Sequence, residues 1–115
     1  MRRGEVRLVD LEPARGSEAN KRRPAIVVSN NSANAAAARL GRGVVTVVPV
    51  TSNVARILPF QVLLAADQTG LRVESKAQAE QVRAVSVERL GDVLGELPAP
   101  ALVAVDDALR LHLDL

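Results

Sequence analysis

Cysteine is absent from the 115 residues, as are tryptophan and tyrosine, and there is one phenylalanine and one histidine. Without cysteine there are no disulfides, thiolate metal sites or thiol nucleophiles, a composition that fits a reducing compartment. With Phe60 as the only aromatic, the chain cannot bind nucleic acid by stacking bases on several rings. His112 stands alone, so no zinc site and no Ser–His triad can be assembled around Ser29, Ser52, Ser75 or Ser86. Its placement near the end of a helical pattern suits a cation at a helix C-terminus. The Gly41–Gly43 stretch precedes a strand pattern rather than a helix, and no P-loop or dinucleotide fingerprint occurs. No apolar run approaches the length of a membrane span. Arg2, Arg3, Glu5 and Arg7 break up the start of the chain where a signal peptide would carry its apolar segment. The expected location is the cytoplasm, with no membrane partner.

What is present is a single domain's worth of chain, 48% apolar and rich in Val, Leu and Ala, enough to bury a core. The net charge of +2 is unevenly distributed. Residues 1–60 carry ten Lys/Arg against four Asp/Glu, and residues 61–115 carry five against nine. That asymmetry points to an anion-binding face built largely from the first half.

Short strand patterns dominate. They cover Val6–Leu11, Pro24–Ser29, Gly43–Ser52, Phe60–Ala65 and Gly91–Pro98. Pro24 fits the first residue of its strand, and Pro49 implies an edge, bulge or bend. Glu12–Arg23 and Asn53–Pro59 read as loops and Asp67–Gly70 as a turn, while Glu74–Ser86 is open between helical turn and strand. Asn30–Leu40 places cap-type residues before an alanine run, a short helix. Ala99–Leu115 is the clearest helix. Leu102, Val105 and Leu109 share one face, which Leu113 extends, and Pro98 and Pro100 lie at its start. Five to seven short strands, an inserted helix and a terminal helix give a mainly β (α+β) fold: one domain over 1–115, a strongly bent sheet or partly open barrel. Its edges need cover, so a homodimer is expected.

The stretch KRRPAIVVSNN, residues 21–31, sets three cations against the mouth of a buried strand. Arg23 immediately precedes that strand pattern, and Thr51 closes VVPVTS, the next long one. Neighbouring strands would bring the two to one spot, where a planar guanidinium suits a phosphate better than an ammonium does. From the residues alone, solvated charge and a strand-end hydroxyl remain the plainer account. If there is an enzyme here, it must work without metal, cysteine or histidine. RNA cleavage suits that inventory, because RNA carries its own nucleophile, the 2′-OH.

The segments RRGEVRLVDLEPARGSEANKRRPAIVVSN, VVPVTSN and AQAEQVRAVSVERLGDVLGEL, in that order and spacing, resemble the MazF/PemK/Kid family of toxin endoribonucleases over nearly the whole chain. The resemblance implies an SH3-like barrel with added helices that acts as a homodimer. It implies cleavage of single-stranded RNA at short sequences, without metal or other cofactor, giving a 2′,3′-cyclic phosphate and a 5′-OH. The family's catalytic Arg and Thr fall on Arg23 and Thr51. Glu18 and Glu74 are candidates for catalytic support, and the acceptor of the 2′-OH proton is left open. Lys21, Arg22, Ser52, Asn53 and Arg56 would bind RNA, beside a first loop that is mobile in such proteins. A cognate antitoxin with an acidic C-terminal tail would lie across the same groove. Two other readings are a toxin of the same barrel that poisons DNA gyrase and a regulator that binds RNA without cutting it.

Overall fold

A computed structural model describes all 115 residues. Seven strands and two helices follow in the order β1 (Glu5–Asp10), β2 (Arg22–Val27), α1 (Asn31–Leu40), β3 (Val44–Thr51), β4 (Gln61–Leu64), β5 (Ser75–Gln78), β6 (Arg83–Ser86), β7 (Leu90–Glu96) and α2 (Ala99–Leu113). The open stretch Glu74–Ser86 thus resolves into β5, a 3₁₀ turn over Ala79–Gln81, and β6.

The sheet runs β4-β5-β3-β2-β1-β7, every pair antiparallel, with β6 also paired to β3. β3 is the spine. One edge lies on β2, while the other pairs with β6 over Val44–Val47 and with β5 at Val50 and Thr51. Pro49 falls where that second edge has no ladder partner, so the sheet bends there without losing a cross-strand bond to the missing N–H.

β2 begins two residues earlier than its apolar pattern suggests. Arg22 and Arg23 continue the ladder opposite Asp10 and Val9, and Pro24 becomes the third residue rather than the first. Pro24 is tolerated because pairing with β3 starts only at Ala25. Both faces of the β2–β3 pair are covered, which accounts for their nearly continuous apolar runs. Val6, Ile26, Val48, Val50 and Leu64 pack with Val105 of α2. Val9, Ala25, Val27, Val45 and Val47 pack with Ala37 of α1.

Asn30 caps α1, its side chain accepting from the Ala33 N–H at 2.8 Å, and Gly41 ends it in a left-handed conformation at φ 66°. Arg3 ties α2 to the sheet, donating to the Val28 carbonyl at 2.8 Å and pairing with Asp106. Leu102 and Leu109 pack on the core as expected, but Leu113 is 49% exposed, because the core ends a turn earlier. The two ends of the strand order meet where the β4–β5 connection crosses β7, with Gly70 against Leu94 and Gly95 against Thr69. The result is a partly open, SH3-like barrel with one inserted and one terminal helix.

Candidate active site

Continuing the β2–β3 register, Ala25 opposite Pro49, by two residues sets Arg23 opposite Thr51. Their side chains meet: Nη1 of Arg23 donates to Oγ1 of Thr51 at 3.5 Å. Arg23 is gripped from the other side by Asn20. Its Nε–H donates to the Asn20 carbonyl at 2.7 Å, and Nη2 donates to Oδ1 at 3.1 Å. A guanidinium has five N–H donors. Three are thus engaged, leaving one on each terminal nitrogen, enough for a two-point contact with a phosphate.

The Thr51 hydroxyl is also poised. Oγ1 accepts from Arg23 and from the Asn53 N–H at 3.3 Å, so its own proton must point elsewhere, as a donor. Asn53 Oδ1 accepts from the Ala55 N–H and holds the start of the next loop. Lys76, which pairs with Thr51 in the ladder, is nearly buried, and its Nζ donates to the Arg56 carbonyl at 2.6 Å, pinning that loop.

Beside this pair opens a cleft of about 650 Å³. Lys21, Arg22, Arg23 and Arg72 line it, with Ser52 and Ser75, over an apolar floor that includes Leu8, Val50, Leu71 and Leu94. No carboxylate lines it. Thr51 itself lies between Val50 and Ser52 of the wall. Four cations around one concavity focus positive potential on it. A second depression, of about 520 Å³, sets Asp10, Glu12 and Glu88 against Arg22 and Arg89 and has no such bias.

Among the residues singled out from sequence, Arg23 and Thr51 come into contact, and Lys21, Arg22 and Ser52 line the cleft. Arg56 is exposed on its loop outside the cleft lining. Glu18 is exposed two residues before Asn20, in a separate depression with Glu80, Gln81 and Arg83. Glu74 is exposed just before β5, between the wall residues Val73 and Ser75. Neither carboxylate forms an ion pair. Asn20, which grips Arg23, and Arg72, which lines the cleft, were not marked by the sequence. Arg72 comes from the acidic half of the chain, and Asn20 matters only through the loop's path back to Arg23. No group of three His, Asp or Glu side chains gathers in a way that could hold a metal ion.

A family model described as PemK-like, MazF-like toxin of type II toxin-antitoxin system matches residues 2–113. The chain is 64% identical over 115 residues to endoribonuclease MazF9 of Mycobacterium tuberculosis (strain ATCC 25618 / H37Rv), covering 100% of this chain and 98% of that one. MazF of Deinococcus radiodurans superposes with a TM-score of 0.83 at 29% identity, over 100% of this chain and 97% of that one. An endoribonuclease from a mycobacterial species, solved with its cognate antitoxin, gives 0.78 at 25% identity over 100% and 96%.

Proposed function

The chain belongs to the PemK-like, MazF-like toxins of type II toxin–antitoxin systems, and from that premise we propose that it is an endoribonuclease toxin that cuts single-stranded RNA without a metal ion. The observation that carries this reading is the Arg23–Thr51 contact beside a cationic cleft free of carboxylates. In the reaction the substrate 2′-oxygen attacks the adjacent phosphorus and the P–O5′ bond breaks. The products are a 2′,3′-cyclic phosphate and a 5′-OH. Arg23 spans the non-bridging oxygens with its two free N–H groups and stabilises the charge that builds there. Thr51 donates its hydroxyl proton toward the phosphate or the departing 5′-oxygen. Lys21, Arg22 and Arg72 hold flanking phosphates, while Ser52, Asn53 and Arg56 lie where the strand would leave the cleft. Phosphate contacts give affinity, and the loops at 12–22 and 53–59 give sequence choice.

The test is to incubate the purified protein with a long single-stranded RNA in EDTA and sequence the new 5′ ends. Recurrent cuts at one short sequence, with 5′-OH termini, are the expected result. Intact RNA overturns the reading in favour of gyrase poisoning or RNA binding without cleavage.

The 2′-OH proton must pass to a base, for which a free guanidinium is unsuited. Glu18, two residues before Asn20, and Glu74, next to the wall residues Val73 and Ser75, are the carboxylates to test. Replacing each with glutamine is expected to identify one whose loss lowers kcat by about 10²–10⁴-fold. If both variants keep the full rate, the proton goes elsewhere.

The same cleft fits inhibition by an antitoxin whose acidic tail folds across it. Leu63 of β4 and Leu111 of α2 are exposed and line one shallow, mostly apolar depression, which supports pairing with a second copy. No helix is long and apolar enough to cross a membrane. We place the toxin's action in the cytoplasm, with its RNA substrate.

A further inference from the structure

We propose that Gln81 is a positioning residue for Arg23, acting at a distance through the loop segment 17–20; this rests on the ribonuclease reading of the same site. Gln81 ends the 3₁₀ turn between β5 and β6. Its side chain lines the depression shared with Glu18, outside the cationic cleft. It reaches across 62–64 residues of sequence to the first loop and holds it at two points. Oε1 accepts from the Ala19 N–H at 2.8 Å, and Nε2 donates to the Ser17 carbonyl at 2.9 Å. The residue after Ala19 is Asn20, whose carbonyl and Oδ1 both grip the Arg23 guanidinium. One side-chain amide therefore fixes the backbone that fixes the arginine.

Apart from Ala19, which packs on the apolar cluster of Val9 and Val27, the loop's other restraints lie at its ends. The Lys21 carbonyl accepts from the Leu11 N–H, and the Lys21 N–H donates to Glu12 at 2.7 Å. Between Pro13 and Asn20, the only backbone–backbone bond is the local one from the Glu18 N–H to the Arg15 carbonyl. Without Gln81 the segment keeps only the packing of Ala19 as a long-range restraint, and a guanidinium misplaced by about 1 Å can lose about 10²-fold in rate. Because Arg23 matters most where charge develops, the loss belongs in kcat rather than KM.

The experiment compares wild type with Gln81→Leu, which removes both contacts at similar volume, and Gln81→Glu, which keeps the acceptor for Ala19 and loses the donor to Ser17. Readouts are steady-state RNA cleavage, thermal melting, and solvent exchange of the Arg23 Nε–H by NMR. Gln81→Leu is expected to lower kcat about tenfold with KM within about twofold, and Gln81→Glu to fall between it and wild type. The Arg23 Nε–H should exchange faster in both, while melting shifts little. Combined with Asn20→Ala, the loss should be smaller than the product of the two, since both act through one contact. A folded Gln81 variant with wild-type kcat, or losses that multiply, overturns the proposal. If Gln81→Leu fails to fold, Gln81→Glu answers the question. If the wild type does not cut RNA, the ribonuclease reading falls, and the Nε–H exchange still decides whether Gln81 orders Arg23.

Discussion

Arg23→Ala is expected to lower the single-turnover cleavage rate by about 10³–10⁵-fold, the range for an arginine that stabilises transition-state charge on a phosphoryl group. RNA binding should weaken far less, because Lys21, Arg22 and Arg72 remain in the cleft. Arg23→Lys is the sharper variant. It keeps the positive charge, but an ammonium cannot reproduce the planar grip on the Asn20 carbonyl and Oδ1 while also reaching Thr51 and a phosphate. A residual rate about 10²-fold below wild type is expected for it, the scale of losing one or more preorganised donors. Melting curves should be nearly unchanged, since Arg23 stands at the sheet end rather than in either apolar cluster. If Arg23→Lys cuts RNA at the wild-type rate, charge alone suffices, and the oriented fork is not what the site provides.

The Arg23–Thr51 meeting was legible because it needs only two strands in the right order and the strong β patterns around them. Where β2 begins was not legible. Apolar periodicity starts at Pro24, yet Arg22 and Arg23 remain in the ladder because β1 still runs opposite them. On the ribonuclease reading that difference matters, since a guanidinium held in a strand is better oriented than one on a free loop. Residues 74–86 were ambiguous for a related reason. Ser75–Gln78 reads SKAQ, with little intrinsic strand preference, and becomes β5 because it is paired on both edges, with β3 and β4. Leu113 keeps the helical spacing, but periodicity does not say where the core stops. Asn20 and Gln81 left no local signal: a loop asparagine and a glutamine in a short turn are ordinary, and their roles exist only once the chain has folded them onto Arg23 and the first loop. Arg72 was hidden by charge counting, because it is one of five cations in a half with nine carboxylates, and the β4–β5 connection carries it to the cleft.

That connection also sets the largest expected effect on stability. Gly70 has φ +77°, and a methyl added there would lie 2.6 Å from the Leu94 carbonyl carbon and closer still to its oxygen. The reciprocal methyl at Gly95 would lie 2.7 Å from the Thr69 carbonyl carbon. The obstacle on each side is backbone, which cannot rotate aside as a side chain can. At Gly41, by contrast, φ is +66° but nothing lies within 4 Å of the added methyl. Gly41→Ala should therefore cost only the left-handed strain, about 1–2 kcal/mol. Gly70→Ala should add an overpacking term to that strain and cost about 2–5 kcal/mol, a large share of the roughly 5–15 kcal/mol that holds a domain together. Denaturant unfolding of the two variants beside wild type measures the difference. The crossing is flanked by Leu71 and Arg72 on the β4–β5 connection and by Leu94 on β7, all in the cleft wall. Whatever fraction of Gly70→Ala remains folded should thus bind RNA more weakly than Gly41→Ala does. Equal costs for the two variants would mean that the crossing yields easily, and that the barrel is closed by the paired strands rather than by two glycines.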